Sequence, residues 1–443
     1  MNRTLLRVTA ALVIATALFV AAVVALNLRG EARLPERAEA FNATPQQIEH
    51  GAYLARAGNC SACHTARGGA PFAGGSGINT PFGTVYSTNL TPDGATGIGK
   101  WSADEFWRAM HNGRSRDGRL LYPAFPYPNY TLVTRPDSDA LYAYFRSQRP
   151  VARVNTEHAL RFPYNLQASL AVWRALFFKP NDPRAGTPPG DSTRSAEWLR
   201  GSYLVRGLGH CNACHGSRNL FGATSESLEL SGGLIPMQNW YAPSLTSSAE
   251  AGVADWSPEQ VVALLKTGKT DQSSAAGSVH ASVHASVLGP MAEVVFRSTQ
   301  YLTDTDLRAM AVFLIALPQR PAERPAKALE GNQADTTSVR QGAELYDRHC
   351  ADCHGAQGQG ATGIYPALAG NRAVTLASPA NLVRVVVSGG FLPATAGNPR
   401  PFGMPPFGPV LNNSDIAAVV SFVRGAWGNQ AAPVSTLEVI QLR

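Results

Sequence analysis

Cys60-Ser-Ala-Cys63-His64 is the first of three copies of one five-residue pattern, and the others are Cys211-Asn-Ala-Cys214-His215 and Cys350-Ala-Asp-Cys353-His354. The three copies use all six cysteines of the 443-residue chain. On a helix, residues three apart lie on the same face, so each pair of thiols points in one direction. Two thiols and an imidazole at a fixed spacing indicate one chemical role that is repeated three times.

The spacing Cys-x-x-Cys-His is typical of covalent attachment of c-type haem. Each thiol forms a thioether bond to a haem vinyl group, and the imidazole that follows lies below the iron as an axial ligand. A neutral imidazole nitrogen suits this position because it binds iron well. The motifs therefore predict three covalently attached haem c groups, with thioether bonds at the six cysteines and axial ligation by His64, His215 and His354.

Three other uses of cysteine fit the sequence less well. A disulfide framework has no reason to place a histidine after every second cysteine, and a zinc site pairs two Cys-x-x-Cys units that are close in sequence. Successive motifs here begin 151 and 139 residues apart, which is about the length of one domain. A thioredoxin-like redox pair is an alternative for a single copy, but three copies that each end in histidine argue against it.

The amino-terminal segment, residues 1–34, predicts targeting or anchoring to a membrane. Arg3 and Arg7 precede Val8–Leu26, which has 19 residues and no charge and so approaches the length that spans a bilayer. The positive flank predicts that the chain starts in the cytoplasm and that everything after the segment is exported. The length favours an uncleaved anchor, and the alternative is a signal peptide cleaved at the small residues Val23-Val24-Ala25.

The sequence around the three motifs also repeats, which indicates three copies of one domain. A glycine opens each stretch that leads into a motif, and each stretch predicts a short helix ending at the cysteines: Gly51, Gly201 and Gly342. Each copy predicts two later helices, one that stops at a glycine and one closing helix with apolar periodicity. The predicted ranges are Ala103–Asn112, Pro258–Thr267 and Ala380–Ser388, then Asp137–Ser147, Asp304–Leu317 and Asn413–Trp427. Helices joined by loops predict the all-α fold class.

Domain boundaries follow from the repeats and from two stretches rich in proline, glycine or charge. Residues 179–190 and 318–337 predict exposed linkers. After the amino-terminal segment we therefore expect three tandem domains, at residues 40–180, 191–318 and 336–430. The chain after Gly428 predicts an extended or irregular surface tail.

Methionines mark the second axial position of two haems, because a thioether in the loop before the last helix serves as the sixth ligand and raises the haem potential. The third copy has Gly403-Met404-Pro405-Pro406, and the second has Met291 in the corresponding interval. In the first copy Phe125 stands where methionine is expected, and phenylalanine cannot bind iron. For this haem the alternatives are packing of Met110 against the haem, ligation by Met110, ligation by His111, and an open sixth position.

The sequence predicts no separate catalytic site and no nucleic-acid surface. Its net charge of +7 comes from dispersed basic residues, and the propionates of three haems offset most of it. Phosphate loops, dinucleotide-binding glycine motifs and nucleophile elbows are absent from the sequence. His280 and His284 lie in a small tandem of low complexity, which predicts an exposed loop.

Four stretches carry a family resemblance: Thr80–Pro92, Gly97–Ser102, Gly289–Val295 with Ser298–Gln300, and Gly403–Pro406. Through them the chain resembles the three-haem cytochrome c subunit of bacterial membrane-bound dehydrogenases, which oxidise alcohols, aldehydes, gluconate and sugars in the periplasm. The resemblance runs from about Gly51 to Trp427. It implies three class I cytochrome c domains, and Met291 and Met404 match the ligand positions of that family. Phe125 departs from the alcohol dehydrogenase branch and is more similar to the branch paired with molybdenum hydroxylases.

The resemblance implies partners as well as a fold. These are a large dehydrogenase subunit that carries pyrroloquinoline quinone, flavin or molybdopterin, a small iron–sulfur subunit in some complexes, and ubiquinone or a terminal oxidase as acceptor. The expected function is electron transfer at the periplasmic face of the bacterial inner membrane, with substrate chemistry in the partner. Two alternatives stay open: a peroxidase-like haem enzyme with an open first haem, and a free-standing electron carrier to an oxidase.

Overall fold

The structure is a computed structural model that describes residues 3–31, 34–35, 41–182, 193–224, 226–270, 285–320, 336–361 and 363–443. Most of the two predicted linkers, and the tandem with His280 and His284, lie outside the described residues. The chain forms two compact units: residues 1–193 with 206–210 and 219–223, and residues 194–205, 211–218 and 224–443. Helix accounts for 47% of the structure and strand for 9%, so the chain is largely helical as predicted, with short hairpins in addition.

The first unit combines helices of very different length with one small sheet. Its helices are α1 Arg3–Asn27, α2 Pro45–Ala57, α3 Cys60–His64, α4 Ala103–Asn112, α5 Tyr127–Tyr130, α6 Arg135–Arg146 and α7 Gln167–Phe177. Its strands are β1 Gly77–Thr80, β2 Gly83–Tyr86 and β3 Ala159–Leu160. The sheet is antiparallel with β2 in the centre, where Val85 pairs with Ile78 and Gly83 pairs with Leu160.

The second unit repeats the helical pattern twice. Its helices are α8 Ala196–Ser202, which continues as a π-helical stretch Tyr203–Leu208, α9 Asn212–His215, α10 Pro258–Thr267, α11 Pro290–Arg297, α12 Asp304–Ile315, α13 Thr336–His349, α14 Ala351–His354, α15 Arg372–Thr375, α16 Ala380–Ser388, α17 Asn413–Gly425 and α18 Thr436–Leu442. Single 3₁₀ turns span Glu226–Leu228 and Thr299–Tyr301. Three antiparallel hairpins pair β4 Gly233–Ile235 with β5 Trp240–Ala242, β6 Lys269–Thr270 with β7 Ala285–Ser286, and β8 Gly390–Phe391 with β9 Gly403–Met404.

One helix pair recurs three times, and a glycine makes each contact possible. The helix before the motif packs on the closing helix as α2 on α6, α8 on α12 and α13 on α17. A Cβ atom at Gly51 would lie 1.9 Å from the backbone oxygen of Ala140, and one at Gly201 would lie 2.0 Å from that of Ala309. The third pair has the same geometry at Gly342. The repeated glycine of the sequence is therefore the point where two helix backbones touch.

Local sequence signals set the ends of the middle helices. Ser102 and Ser257, each of which follows a tryptophan, predict N-caps, and both form capping boxes with the side chain three residues on. Gly113 and Gly268 end α4 and α10 with φ of 59° and 80°, a region that glycine enters without strain. The ranges predicted for α4, α10 and α16 match those observed, and the closing helices agree within two residues at each end.

The apolar segment near the amino terminus forms α1, which is long and apolar enough to cross a membrane. None of its most apolar stretch is buried inside the protein. A core helix would be covered, so the length, composition and exposure of α1 fit a membrane anchor or a signal sequence. This leaves the two predicted alternatives for residues 1–34.

The prediction of an irregular carboxyl-terminal tail is wrong. Residues after Gly428 include α18, whose first turn is closed by a capping box between Ser435 and Glu438. Val439 is fully buried in the core that also contains Ile416 and Val420 of α17. Burial of this one apolar face stabilises a helix of seven residues that is too short to persist alone.

Candidate haem-binding sites

The histidines of the three motifs are held in the same way. The ring Nδ1–H of His64 donates a hydrogen bond to the backbone oxygen of Thr88 at 2.7 Å. The Nδ1–H of His215 donates to the backbone oxygen of Pro243 at 2.8 Å, and that of His354 donates to the backbone oxygen of Pro366 at 3.0 Å. Each of the three imidazoles is thus hydrogen-bonded to one backbone carbonyl. Such a bond fixes the ring and leaves Nε2 as the nitrogen that can bind a metal.

A second repeated contact shapes the loop that supplies each carbonyl. The N–H groups of Gly74, Gly232 and Gly360 donate to the backbone oxygens of the three motif histidines at 2.7–2.8 Å. All three glycines have positive φ, of 73°, 84° and 67°. At Gly74 a Cβ atom would lie 2.5 Å from the backbone of Thr88. The glycine is therefore required both by the turn and by the close approach of the carbonyl-bearing strand.

A third repeated contact closes the same loop. The N–H groups of Leu90, Leu245 and Leu368 donate to the backbone oxygens of residues 72, 230 and 358 at 2.7–2.9 Å. The interval from motif histidine to loop glycine differs among the copies, at 10, 17 and 6 residues. The same backbone hydrogen bonds nevertheless occur in all three loops. Because the intervals differ, sequence spacing does not predict these bonds.

The surroundings of the cysteines do not favour free thiol chemistry. None of the six forms a disulfide. Burial raises the pKa of the Cys60 and Cys211 thiols to about 12 and that of Cys350 to about 11. A redox-active cysteine needs the opposite shift, because the thiolate is the nucleophile. The alternative of a thioredoxin-like pair therefore finds no support at any of the three motifs.

Zinc also lacks a site in the described part of the chain, where no three His, Cys, Asp or Glu side chains converge. Burial lowers the pKa of His64, His215 and His354, and their backbone hydrogen bonds oppose this shift only partly. Each imidazole is therefore neutral, which is the form that binds iron. Two thiols on one short turn, a neutral imidazole and a free Nε2 fit covalent haem c at all three motifs.

The two predicted methionine ligands each lie between the middle helix and the closing helix of their copy, as predicted. Met291 is in the first turn of α11 and packs against Val287, Ala292 and Val295. Met404 is in β9 and pairs with Gly390 of β8. Both side chains are half-buried rather than sealed in the core. Neither side chain is enclosed by the core of its own domain.

The first copy places its candidates differently. Met110 and His111 are both buried in α4. His111 donates a hydrogen bond from Nε2 to the backbone oxygen of Asn181 at 2.9 Å, and its ring stacks on Trp107 at 4.5 Å. Its other ring nitrogen, Nδ1, is buried and has no hydrogen-bond partner among the described residues, and either imidazole nitrogen can bind a metal. Phe125 packs its ring on Tyr130, with the centroids 5.3 Å apart.

One side chain that the sequence did not single out supports the second site. Asn381, at the start of α16, accepts a hydrogen bond from the N–H of Tyr241 at 2.8 Å and donates one to the oxygen of the same residue at 2.7 Å. Tyr241 is two residues before Pro243, whose carbonyl orients His215. Both partners lie in the second unit. An isolated asparagine carries no sequence signal for such a contact, because it depends on residues 140 positions apart.

The helices and histidine sites define a c-type cytochrome, and the sequence comparisons agree. Residues 339–427 match the model of the cytochrome c family. The cytochrome c subunit of alcohol dehydrogenase (quinone) from Gluconacetobacter polyoxogenes is 40% identical over 413 residues, which cover 89% of this chain and 84% of that protein. The gluconate 2-dehydrogenase cytochrome c subunit of Pantoea cypripedii is 38% identical and covers 89% of both chains.

A third relative has a different substrate in its name. This protein, one of the subunits of the nicotinate dehydrogenase of Pseudomonas putida, is 40% identical over 403 residues, which cover 88% of this chain and 32% of that protein. Together these relatives show that the chain belongs to the family of cytochrome c subunits of dehydrogenase complexes. It binds haem c covalently and transfers electrons from a dehydrogenase, and the chemistry of substrate oxidation lies in a partner protein.

Proposed function

We propose that this chain carries three covalently bound haem c groups and passes electrons one at a time from a partner dehydrogenase to an acceptor at the membrane. The observation that carries the proposal is the repeated geometry at His64, His215 and His354, each with Nδ1 on a backbone carbonyl. One such site would serve a simple carrier. Three in one chain suit a relay between a donor and an acceptor that do not touch.

Each residue of the proposed sites has a distinct task. The six motif cysteines hold the porphyrin covalently, and the three motif histidines bind iron through Nε2. Met291 and Met404 supply the sixth ligands of the second and third sites. When bound, the haem iron supplies reversible one-electron redox chemistry, and the protein sets its potential through ligands, burial and hydrogen bonds.

The first site has no comparable loop methionine. Met110, His111 through its buried Nδ1, and an open sixth position are the alternatives that we keep for this haem. Domain limits of 40–180, 191–318 and 336–430 contain the three helix pairs, α18 adds to the core of the third domain beyond residue 430, and each domain is of the class I cytochrome c type.

The partner we propose is a large subunit with molybdopterin, pyrroloquinoline quinone or flavin, joined by a small iron–sulfur subunit in the molybdenum case. Its substrate is an alcohol, an aldehyde or an N-heterocycle. This proposal is supported by two relatives, which are subunits of an alcohol dehydrogenase and of a nicotinate dehydrogenase. Phe125 favours the molybdenum branch. The acceptor is ubiquinone or a terminal oxidase, and α1 remains as an anchor that holds the haem domains on the periplasmic side of the inner membrane.

Stopped-flow mixing of the oxidised protein with its reduced dehydrogenase partner tests this proposal. We expect absorbance changes of all three haems at rates at least equal to turnover of the complex. Failure of any haem to be reduced at such a rate would remove that haem from the relay. Co-purification from detergent-solubilised membranes separates the complex from a free-standing carrier, which would elute without a dehydrogenase.

A haem enzyme with an open first site is the second candidate function. It is favoured by Phe125, which stands at the expected methionine position and cannot bind iron. Carbon monoxide added to the reduced protein distinguishes the two functions. A tight complex with one carbon monoxide per chain, together with peroxide turnover, would support the enzyme, and the absence of a complex would exclude it.

Removal of the Asn381 side chain should change the midpoint potential of the second haem and of no other haem. Asn381→Ala removes both hydrogen bonds to Tyr241, which loosens the carbonyl of Pro243 that His215 uses. A weaker bond at Nδ1 makes the imidazole less basic, so the midpoint potential of this haem should rise by tens of millivolts. Spectroelectrochemical titration of the whole protein measures it. Asn381→Gln keeps a neutral amide with both a donor and an acceptor and should shift the potential less, and equal potentials in all three proteins would contradict the assignment.

A further inference from the structure

The end of α1 is fastened to the first unit by a buried polar network. Asn27 donates from its side chain to the backbone oxygen of Ala171 in α7 at 2.8 Å, and Arg174 donates from Nε to the side-chain oxygen of Asn27 at 3.0 Å. Four residues further on, Glu31 forms an ion pair with Arg114 at 2.8 Å. Asn27 and Arg174 are both buried. The chain that leaves α1 is therefore held on α7 rather than connected by a free tether.

This attachment fixes where α7 lies relative to a bilayer that α1 crosses. The uncharged stretch of α1 ends at Leu26, so Asn27 marks the place where the helix leaves the hydrocarbon region. The contact with Ala171 then holds α7 at the level of the lipid headgroups. Exposed side chains on α7 and on its neighbours are then close to that level.

Large apolar side chains around α7 are unusually exposed. Leu176 in α7 exposes 68% of its surface, and Phe162 in the preceding loop exposes 78%. Leu220 and Phe221, which belong to the same unit, expose 94% and 58%. Single exposed apolar residues are common, but several within one local surface indicate an interaction site.

Contacts among neighbouring aromatic residues join the segments that carry these exposed side chains. Trp173 donates from its ring nitrogen to the backbone oxygen of Phe221 at 2.9 Å, and the ring of Phe177 stacks on that of Phe221 at 5.9 Å. A second aromatic pair in the same unit consists of Phe82 and Tyr164, whose ring centroids are 4.6 Å apart. A Cβ atom at position 222 would lie 3.1 Å from the ring of Phe82, so residues 221 and 222 connect α7 with the Phe82–Tyr164 pair.

We infer that this surface, the apolar platform, is a second membrane contact that lies in the headgroup and acyl boundary of the leaflet from which α1 emerges. It consists of Phe162, Tyr164, Leu166, Leu176, Leu220 and Phe221. Aromatic and aliphatic side chains with basic neighbours suit this layer of a bilayer. Arg29, Arg161 and Lys179 are exposed around it and match anionic phospholipid headgroups. The inference rests on the proposed retention of α1, because continuity with that helix selects lipid over a protein partner.

A nitroxide label at position 220 tests the inference in the full chain. Leu220→Cys is labelled and reconstituted in vesicles that contain anionic phospholipid, and intact mass establishes that α1 is present. Val410→Cys, at a residue of the second unit that is also exposed and apolar, is the matched control. We expect oxygen to relax the label at 220 several-fold more effectively than a water-soluble nickel chelate does, and the opposite preference at 410.

Three results would overturn the inference. They are a nickel preference at position 220 equal to that at 410, protection of the label from both reagents, which would indicate a protein cover, and loss of α1 from the mature chain. A second variant, Phe162→Ser with Phe221→Ser, should shift the label at 220 toward water while haem content and reduction by dithionite stay unchanged. Failure of electron transfer from a dehydrogenase would leave the label results as they are, so the two proposals fail separately.

Discussion

Met404→Ala is expected to lower the midpoint potential of the haem at Cys350 and Cys353 by on the order of 0.2 V, a fraction of the ~0.8 V range that axial ligands span. A thioether ligand raises the potential because it stabilises the reduced iron. Alanine cannot replace it, so water or another weak ligand enters. Spectroelectrochemical titration should show one of three waves displaced, together with loss of the thioether-to-iron charge-transfer absorption of that haem.

Met310→Leu provides the matched control. Met310 is buried in α12, and exchange of methionine for leucine conserves volume in a core. All three waves should keep their potentials in this variant. If Met404→Ala titrates like the control, Met404 is not a ligand, and the sixth position of the third haem must be assigned to another side chain.

Gly201→Ala should have a large effect on folding. The added Cβ would lie 2.0 Å from the backbone oxygen of Ala309 and 2.6 Å from its carbonyl carbon, so α8 and α12 have to separate. Overpacking of backbone against backbone costs several kcal/mol, on the order of 3–5 here, because no flexible side chain can yield. The measurement is thermal unfolding of the purified protein, with the haem content at Cys211 and Cys214 as a second readout.

Gly425→Ala is the matched control because Gly425 also lies in a helix of the second unit. No atom lies within 4 Å of a Cβ built at this position. The substitution should be neutral or stabilising by up to about 1 kcal/mol, since alanine favours helix and glycine does not. Equal thermal stability of the two variants would show that the contact between α8 and α12 is not as close as described.

Features set by neighbouring residues could be predicted from the sequence. The capping boxes at Ser102 and Ser257 and the glycines at 113 and 268 determine the ends of α4 and α10 through contacts within four residues. The motif cysteines and histidines can be recognised for the same reason, because they lie within five adjacent residues. α18 was missed because its stability comes from Val439 packing on α17, and this contact is not visible in a seven-residue sequence.

Features that join distant segments could not be predicted. The carbonyls of Thr88, Pro243 and Pro366 follow their histidines by 24, 28 and 12 residues, so no fixed spacing identifies them. A partial signal exists in the first two copies, where Tyr86–Thr91 resembles Tyr241–Thr246. The network between Asn27 and Arg174 joins residues 147 positions apart, and its members look like ordinary polar residues in the sequence.

The number of haems per chain is the most direct test of the account. Intact mass of the purified, denatured protein, combined with pyridine haemochrome absorbance, counts covalent porphyrin, and a thiol reagent counts the free cysteines. We predict three haem additions per chain and no reactive thiol among the six cysteines. One or two haems, with the remaining cysteines open to the reagent, would contradict the claim that three equivalent sites are built into this chain.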